Sequence, residues 1–188
     1  MKIIKTKFED AYLLEPKVFG DQRGFFMESY NKETFDSLGI DMDFIQDNHS
    51  LSQTPGTLRG MHYQLAPKAQ TKLIRATKGS IYDVIVDIRK GSPTYGQWQG
   101  FILTAENKRQ LLVPKGFAHG FCTLAENTEV QYKVDELYSP KHDCGIAWDD
   151  PELSIDWPVT EAVLSDKDTK HPTLANAENN FEIGVTSK

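Results

Sequence analysis

The sequence is poor in several features that would each announce a class of protein. It holds two cysteines, Cys122 and Cys144, among 188 residues. A lone pair is a poor disulfide framework for a chain of this size, so both are expected as reduced thiols in a cytosolic protein, with structural or incidental roles. No stretch comes near the roughly 20 consecutive apolar residues that a bilayer span requires. The opening Met1-Lys2-Ile3-Ile4-Lys5 also lacks the continuous apolar segment of a signal peptide. These absences predict a cytoplasmic protein with no membrane partner. Basic excess is missing too: 27 acidic residues outnumber 21 basic ones, for a net charge of −6. That excludes a general nucleic-acid binder. A local phosphate site is still compatible with this balance, because one or two arginines can hold a diphosphate while distant charges are screened over about 10 Å.

What is present is the texture of a β protein. The 13 glycines and nine prolines punctuate short runs of alternating hydrophobicity, which predicts an all-β jelly-roll barrel or sandwich with short peripheral helices. The length suits one domain over residues 1–188. The N-terminal part reads as an extended arm with a loop, Pro16 to Gly24, before Phe25-Phe26-Met27. Asn31 to Ile40 reads as a short helix stopped by Gly39. Strands are predicted over Thr57–Gln64, Thr71–Thr77, Ile81–Arg89, Trp98–Thr104, Gln110–Val113, Phe117–Leu124 and Thr128–Asp135, with Thr71–Thr77 and Ile81–Arg89 paired as a hairpin across Lys78-Gly79-Ser80. Beyond Asp135 come loops and short helical pieces, ending in a polar tail, residues 176–188, expected to be mobile.

Histidine is scarce as well: His49, His62, His119, His142 and His171 are the full set. Pro114-x-Gly116-x-x-His119 has the spacing of a cupin's second motif, which sets a histidine on a strand just after a tight turn. The first motif's His-x-His is broken, because Tyr63 and Gln64 follow His62. A divalent metal usually takes three or four protein ligands with a supporting second shell, so no metal is expected.

Acid and base chemistry is what remains for the interior. Period-two alternation puts Leu58, Gly60, His62 and Gln64 on one strand face, while a bulge at Gly60 would let Arg59 turn inward. Taken alone, His62 reads as a hydrogen-bonded core histidine. A carboxylate partner would fix its tautomer and raise its basicity, and Asp168 in the Ser165-Asp166-Lys167-Asp168 turn is the candidate. Lys72 shares a face with Ile74 and Ala76, where an inward ammonium could hold an oxyanion. Tyr132 lies between Val130 and Val134 on an apolar face and could deliver a proton opposite the base; a core tyrosine is the equal alternative. Arg23 and Arg59, beside glycines, are candidate diphosphate clamps or else surface ion pairs. Tyr138 could stack on a base or simply pack at the surface.

Several fragments together resemble the dTDP-4-dehydrorhamnose 3,5-epimerases of deoxysugar biosynthesis. They are Pro16 to Phe26, Phe44 to Ser50, Leu58 to Gln64, Val113 to Phe121, Gly145 to Pro151 and Leu164 to Asp168. The resemblance spans about residues 1 to 175 and implies a cupin-type jelly roll that works without a cofactor. It implies a dTDP-4-keto-6-deoxyhexose substrate inverted at C3 and C5. His62 would be the base supported by Asp168, Tyr132 the opposing acid, and Lys72 the group facing the C4 oxygen. Arg23, Glu28, Gln46, Asp47, Asn48, Arg59, His119 and Lys167 fall on substrate-contacting positions. The resemblance further implies a homodimer with exchanged N-terminal strands, so that Arg23 and Glu28 would serve the neighbouring subunit. The family commonly has Glu-Arg before Gly-Ile, whereas this chain has Asp143-Cys144 before Gly145-Ile146, which shortens the acid and would alter a thymine-side contact at Asp143. A single-position epimerase or ketoisomerase is the nearest alternative, followed by a non-catalytic sugar-nucleotide binding module and a metal-dependent oxygenase.

Overall fold

The computed structural model describes residues 1–183. Its strands are β1 (Lys2–Lys5), β2 (Tyr12–Glu15), β3 (Val18–Asp21), β4 (Gly24–Met27), β5 (Gln46–Ser52), β6 (Leu58–Gln64) and β7 (Lys72–Lys78). They continue with β8 (Ser80–Asp87), β9 (Trp98–Thr104), β10 (Gln110–Val113), β11 (Phe117–Thr123), β12 (Thr128–Val134) and β13 (Asp143–Gly145). One short helix, α1 (Lys32–Ser37), begins at Asn31, whose side chain accepts from the Thr34 amide. Asn31 thereby satisfies one of the otherwise unpaired first-turn donors. Gly39, at φ +78°, ends the segment in the left-handed region where glycine carries no steric penalty.

A six-stranded sheet, in the order β1-β2-β10-β7-β12-β5, faces a five-stranded sheet, β13-β6-β11-β8-β9, and β3 pairs only with β4. This is the jelly-roll barrel expected, and the long strands lie within a residue or two of their predicted bounds. Three apolar clusters explain the layering. Between the sheets, Ile74, Leu111 and Val130 meet Ile81, Ile85, Phe117 and Phe121. On the outer face of the five-stranded sheet, Leu58, Met61, Val84, Val86 and Cys122 are covered by Ile146, Leu153, Trp157, Leu174 and Phe181 of the C-terminal segment. On the other outer face, Leu14, Leu73 and Leu112 pack under Phe35 and Ile40. Strand β8 is therefore buried on both faces, which accounts for its continuous apolar run Val84-Ile85-Val86.

The structure corrects two local expectations. Strands β7 and β8 do not form a hairpin, since β7 pairs with β10 and β12 while β8 pairs with β9 and β11. Only Gly79 separates them, at φ +70°, where a Cβ would lie 2.4 Å from Thr128 Oγ1. The chain turns this corner to pass from one sheet to the other. The second correction concerns β6, where alternation does not run through. His119 pairs with His62 but Phe121 pairs with Arg59, so the register slips between them. Leu58, Met61 and Tyr63 consequently share the outer core, while Arg59 and His62 line the interior. A bulge at Gly60 turns Arg59 inward. At Gly60 (φ +145°) a Cβ would sit 2.5 Å from the Gly120 Cα, so the two backbones could not approach this closely with any larger residue.

The segment grouped as a tail divides. Phe181 is buried in the outer core, the Ile183 amide donates to the Lys90 carbonyl, and Asn180 donates to the Ala66 carbonyl, while residues 184–188 lie outside the described residues. No described helix is long and apolar enough to cross a membrane.

Candidate active site

The barrel interior is apolar at one end and opens at the other into a pocket of about 440 Å³. His62, Arg59 and His119 reach it from the five-stranded sheet, Lys72 and Tyr132 from the six-stranded sheet, and Lys167 and Asp168 from the loop that closes its rim. That loop is anchored by a parallel bridge between Thr57 and Val163. It continues into the 3-10 turn Asp168–Lys170, which brings Asp168 back over β6.

His62 Nε2 lies 2.5 Å from Asp168 Oδ1. The Ser165 hydroxyl donates to the other carboxylate oxygen at 2.8 Å. Burial pushes the Asp168 carboxyl up, but the hydrogen bonds from His62 and Ser165 and the nearby charges of His62 and His171 together hold it below the ordinary value. Asp168 is therefore an anionic acceptor at neutral pH. With Nε2 engaged, His62 presents Nδ1 as its free ring nitrogen.

Lys72 enters on the inward face of β7 with Ile74 and lines the pocket, the inward of the two orientations its strand position allows. Desolvation lowers its ammonium to about 8, against the raising influence of Asp143 and Asp83. Tyr132 follows Val130 on the inward face of β12, with Asn48 and Ile74 as its cross-strand neighbours. Its hydroxyl makes no hydrogen bond among the described residues. Burial raises its pKa, partly countered by the Arg59 charge, so it is a protonated donor. Among the described residues Arg59 makes only long contacts, 3.4 Å to the Ser52 hydroxyl and 3.5 Å to the Leu51 carbonyl, a geometry that leaves its guanidinium fork able to take a phosphate.

His119 is tied to the buried Asp83, with Nε2 2.9 Å from Oδ1. Tyr138 donates to Asp143 at 2.8 Å, and Lys167 pairs with the same carboxylate. Tyr138 is exposed and stands outside the pocket lining. Gln46, Asp47 and Asn48 lie along the edge strand β5, where Gln46 donates to Asn48 and Asp47 pairs with Lys133. They do not line the pocket of the single chain. Arg23 and Glu28 are further removed. Arg23 is exposed at the tip of the β3-β4 hairpin, paired with Asp21, and Glu28 follows β4 beside Asn31.

Three residues in the site carried no assignment from the sequence: Asp83, Ser165 and His171. Asp83 is an acid in the middle of an apolar double-faced strand, and that oddity was its available signal. Ser165 reads in the sequence only as part of the turn that ends at Asp168. His171, beyond a turn in a loop region, had no periodicity to place it.

Comparison with known proteins adds a family to this geometry. The family profile of dTDP-4-dehydrorhamnose 3,5-epimerase matches residues 5–176. A dTDP-4-dehydrorhamnose 3,5-epimerase from Shigella flexneri is 52% identical over 179 residues, covering 95% of this chain and 98% of the relative. The crystal structure of a dTDP-4-dehydrorhamnose 3,5-epimerase from Bacillus anthracis with TDP and PPi bound is 62% identical, with a TM-score of 0.90 over 92% of this chain and 98% of that one. A Legionella pneumophila dTDP-6-deoxy-D-glucose-3,5-epimerase in complex with dTDP-4-keto-L-rhamnose is 46% identical, with a TM-score of 0.89 and 93% coverage of each chain.

Proposed function

The chain belongs to the dTDP-4-dehydrorhamnose 3,5-epimerase family, and from that premise we propose how its own residues carry the reaction. The protein is an isomerase that converts dTDP-4-dehydro-6-deoxy-D-glucose into dTDP-4-dehydro-L-rhamnose. The C4 ketone acidifies the hydrogens at C3 and C5. His62 Nδ1 removes each in turn, and Asp168 stabilises the imidazolium through Nε2–H. The electron pair left on carbon delocalises onto the C4 oxygen, where the Lys72 ammonium steadies the enolate. Tyr132 returns a proton from the other side, ketone and opposite configuration are restored, and solvent exchange resets both groups. The scheme consumes no cofactor and needs no metal.

One observation carries this reading. The base candidate stands on β6 of one sheet and the acid candidate on β12 of the other, and both line the same pocket. Inversion requires proton removal and return on opposite faces of one carbon, and two facing sheets supply opposite walls.

For binding, Arg59, His119 and Lys167 are assigned to the sugar-diphosphate end, and Tyr138 and Asp143 to the rim near the base. We infer that the chain works as a homodimer with exchanged N-terminal strands. The support is the β3-β4 hairpin, which exposes Phe19, Phe25 and Phe26 by 52, 59 and 67%, an apolar surface that a second copy would cover. In that arrangement Arg23 and Glu28 belong to the neighbour's site, and Gln46, Asp47 and Asn48 lie on the edge strand facing the incoming arm. The whole chain, residues 1–188, is read as one catalytic domain, and its free thiols suit the cytoplasm.

The test is proton NMR in deuterium oxide with dTDP-4-keto-6-deoxyglucose. Deuterium entering both C3 and C5 supports the double epimerase. Label at one carbon alone would establish a single-position epimerase instead.

A further inference from the structure

We propose that His62, Asp168 and His171 form a binding site for a divalent transition metal of the zinc class, and that the ion silences the enzyme by capturing its base. Each residue offers one donor atom, and the three atoms all lie within 4.8 Å of one another. His62 Nε2 and Asp168 Oδ1 are 2.5 Å apart, and His171 Nε2 is 3.6 Å from the same oxygen. Two imidazoles and a carboxylate are a donor set that zinc accepts in open sites, at bond lengths of about 2.0–2.2 Å. Tetrahedral ligands at such bond lengths stand about 3.3 Å apart. The dyad would open and the two rings would close by shifts of the order of an ångström or less.

The strongest sign of an unfilled role is His171. Its side chain is 10% exposed, yet Nε2 is buried with no hydrogen-bond partner among the described residues. A buried polar nitrogen in that state is costly, and nothing in the epimerase chemistry uses it. The ring stands edge-on to His62, with centroids 5.5 Å apart. Its place is reserved by Gly145, the strand partner of His62, where a Cβ would fall 2.4 Å from the His171 ring. The pocket beside the cluster has room for water to complete the coordination.

Metal on His62 Nε2 would take the place of the ring proton held there by Asp168, and that proton would move through solvent to Nδ1, giving a neutral ring protonated on Nδ1. That nitrogen then donates and can no longer accept a substrate proton. This inhibitory consequence rests on His62 being the base, whereas the site itself does not.

The test uses untagged full-length protein titrated with cobalt(II) and with zinc. The expected result is one equivalent bound, visible bands of four-coordinate cobalt, zinc inhibition of epimerisation, and recovery on adding EDTA. His171→Asn, or His171→Gln should the first variant fold poorly, is expected to weaken metal binding by at least about tenfold. No binding in or below the micromolar range, or a well-folded His171 variant that binds as tightly as the parent, would overturn the site and leave the epimerase reading untouched. Metal bound by the cluster with undiminished turnover would overturn the inhibitory role and count against His62 as the base.

Discussion

Asp168 Oδ1 sits 2.5 Å from His62 Nε2 across 106 residues of sequence, and this contact decides which ring nitrogen of the histidine can meet substrate. The carboxylate accepts from Nε2–H and leaves Nδ1 unprotonated. Asp168→Asn tests that directly. An amide can present N–H to Nε2, which would place the ring proton on Nδ1 and block it as a base. The variant is expected to keep its fold and substrate affinity while kcat drops by about 10²–10⁴-fold. Steady-state kinetics with circular dichroism checks the outcome.

Tyr132→Phe separates proton removal from inversion. The base still removes a proton and can return one to the same face, so deuterium is expected to enter the substrate position while formation of the inverted sugar slows by about 10²-fold or more. NMR reads exchange and configuration in one sample. Equal loss of both would show that Tyr132 does not act after the enolate.

Lys72 sets an alkaline limb. Its ammonium is lowered to about 8 by desolvation, and the enolate needs the charged form, so kcat is expected to fall as pH rises above about 8. Stability should move the other way. Between the folded value near 8 and the ordinary lysine value of 10.5 the unfolded chain holds more protons, so this group's contribution to stability rises with pH across that window; below 8 its burial penalty is felt in full. Lys72→Gln is expected to flatten the limb and to cost about 10²–10³-fold in kcat, the scale of a lost oxyanion donor. A pH-rate profile on both proteins checks it.

The proposed strand exchange between two copies of the chain predicts complementation between subunits. Arg23→Ala and His62→Ala homodimers are each expected to be impaired. A mixed dimer would pair the intact His62 of one subunit with the intact Arg23 of the other and regain one working site. Tandem-affinity purification of co-expressed variants, followed by activity measurement, reads the result. No recovery in the mixed dimer would return Arg23 to its own subunit.

Much of this was legible in the sequence because β-strands announce themselves by period two. Val130 and Val134 point inward, and alternation alone places Tyr132 between them inside, whereas Lys72, on a face with Ile74 and Ala76, is left open between solvent and interior by the sequence. Two kinds of feature escaped. The corner at Gly79 has hairpin-like sequence, and only competition between sheets for β7 shows that the chain crosses over. On β6 the slip at Gly60 depends on the facing Gly120, a long-range partner that no local pattern reveals. The site shows the same division. The Ser165–Asp168 turn offers a carboxylate for His62 from sequence alone, but the buried carboxylate of Asp83 under His119 and the packing of His171 on Gly145 arise from contacts between distant segments.

The central claim is that His62 is the group that removes the α-protons. It is tested most directly by solvent-deuterium exchange into dTDP-4-keto-6-deoxyglucose, measured by proton NMR for the parent protein and for His62→Ala of verified fold. The parent is expected to label both C3 and C5, and the variant to lose exchange at both by about 10²–10⁴-fold. Exchange at the parental rate in the folded His62→Ala variant would contradict the account.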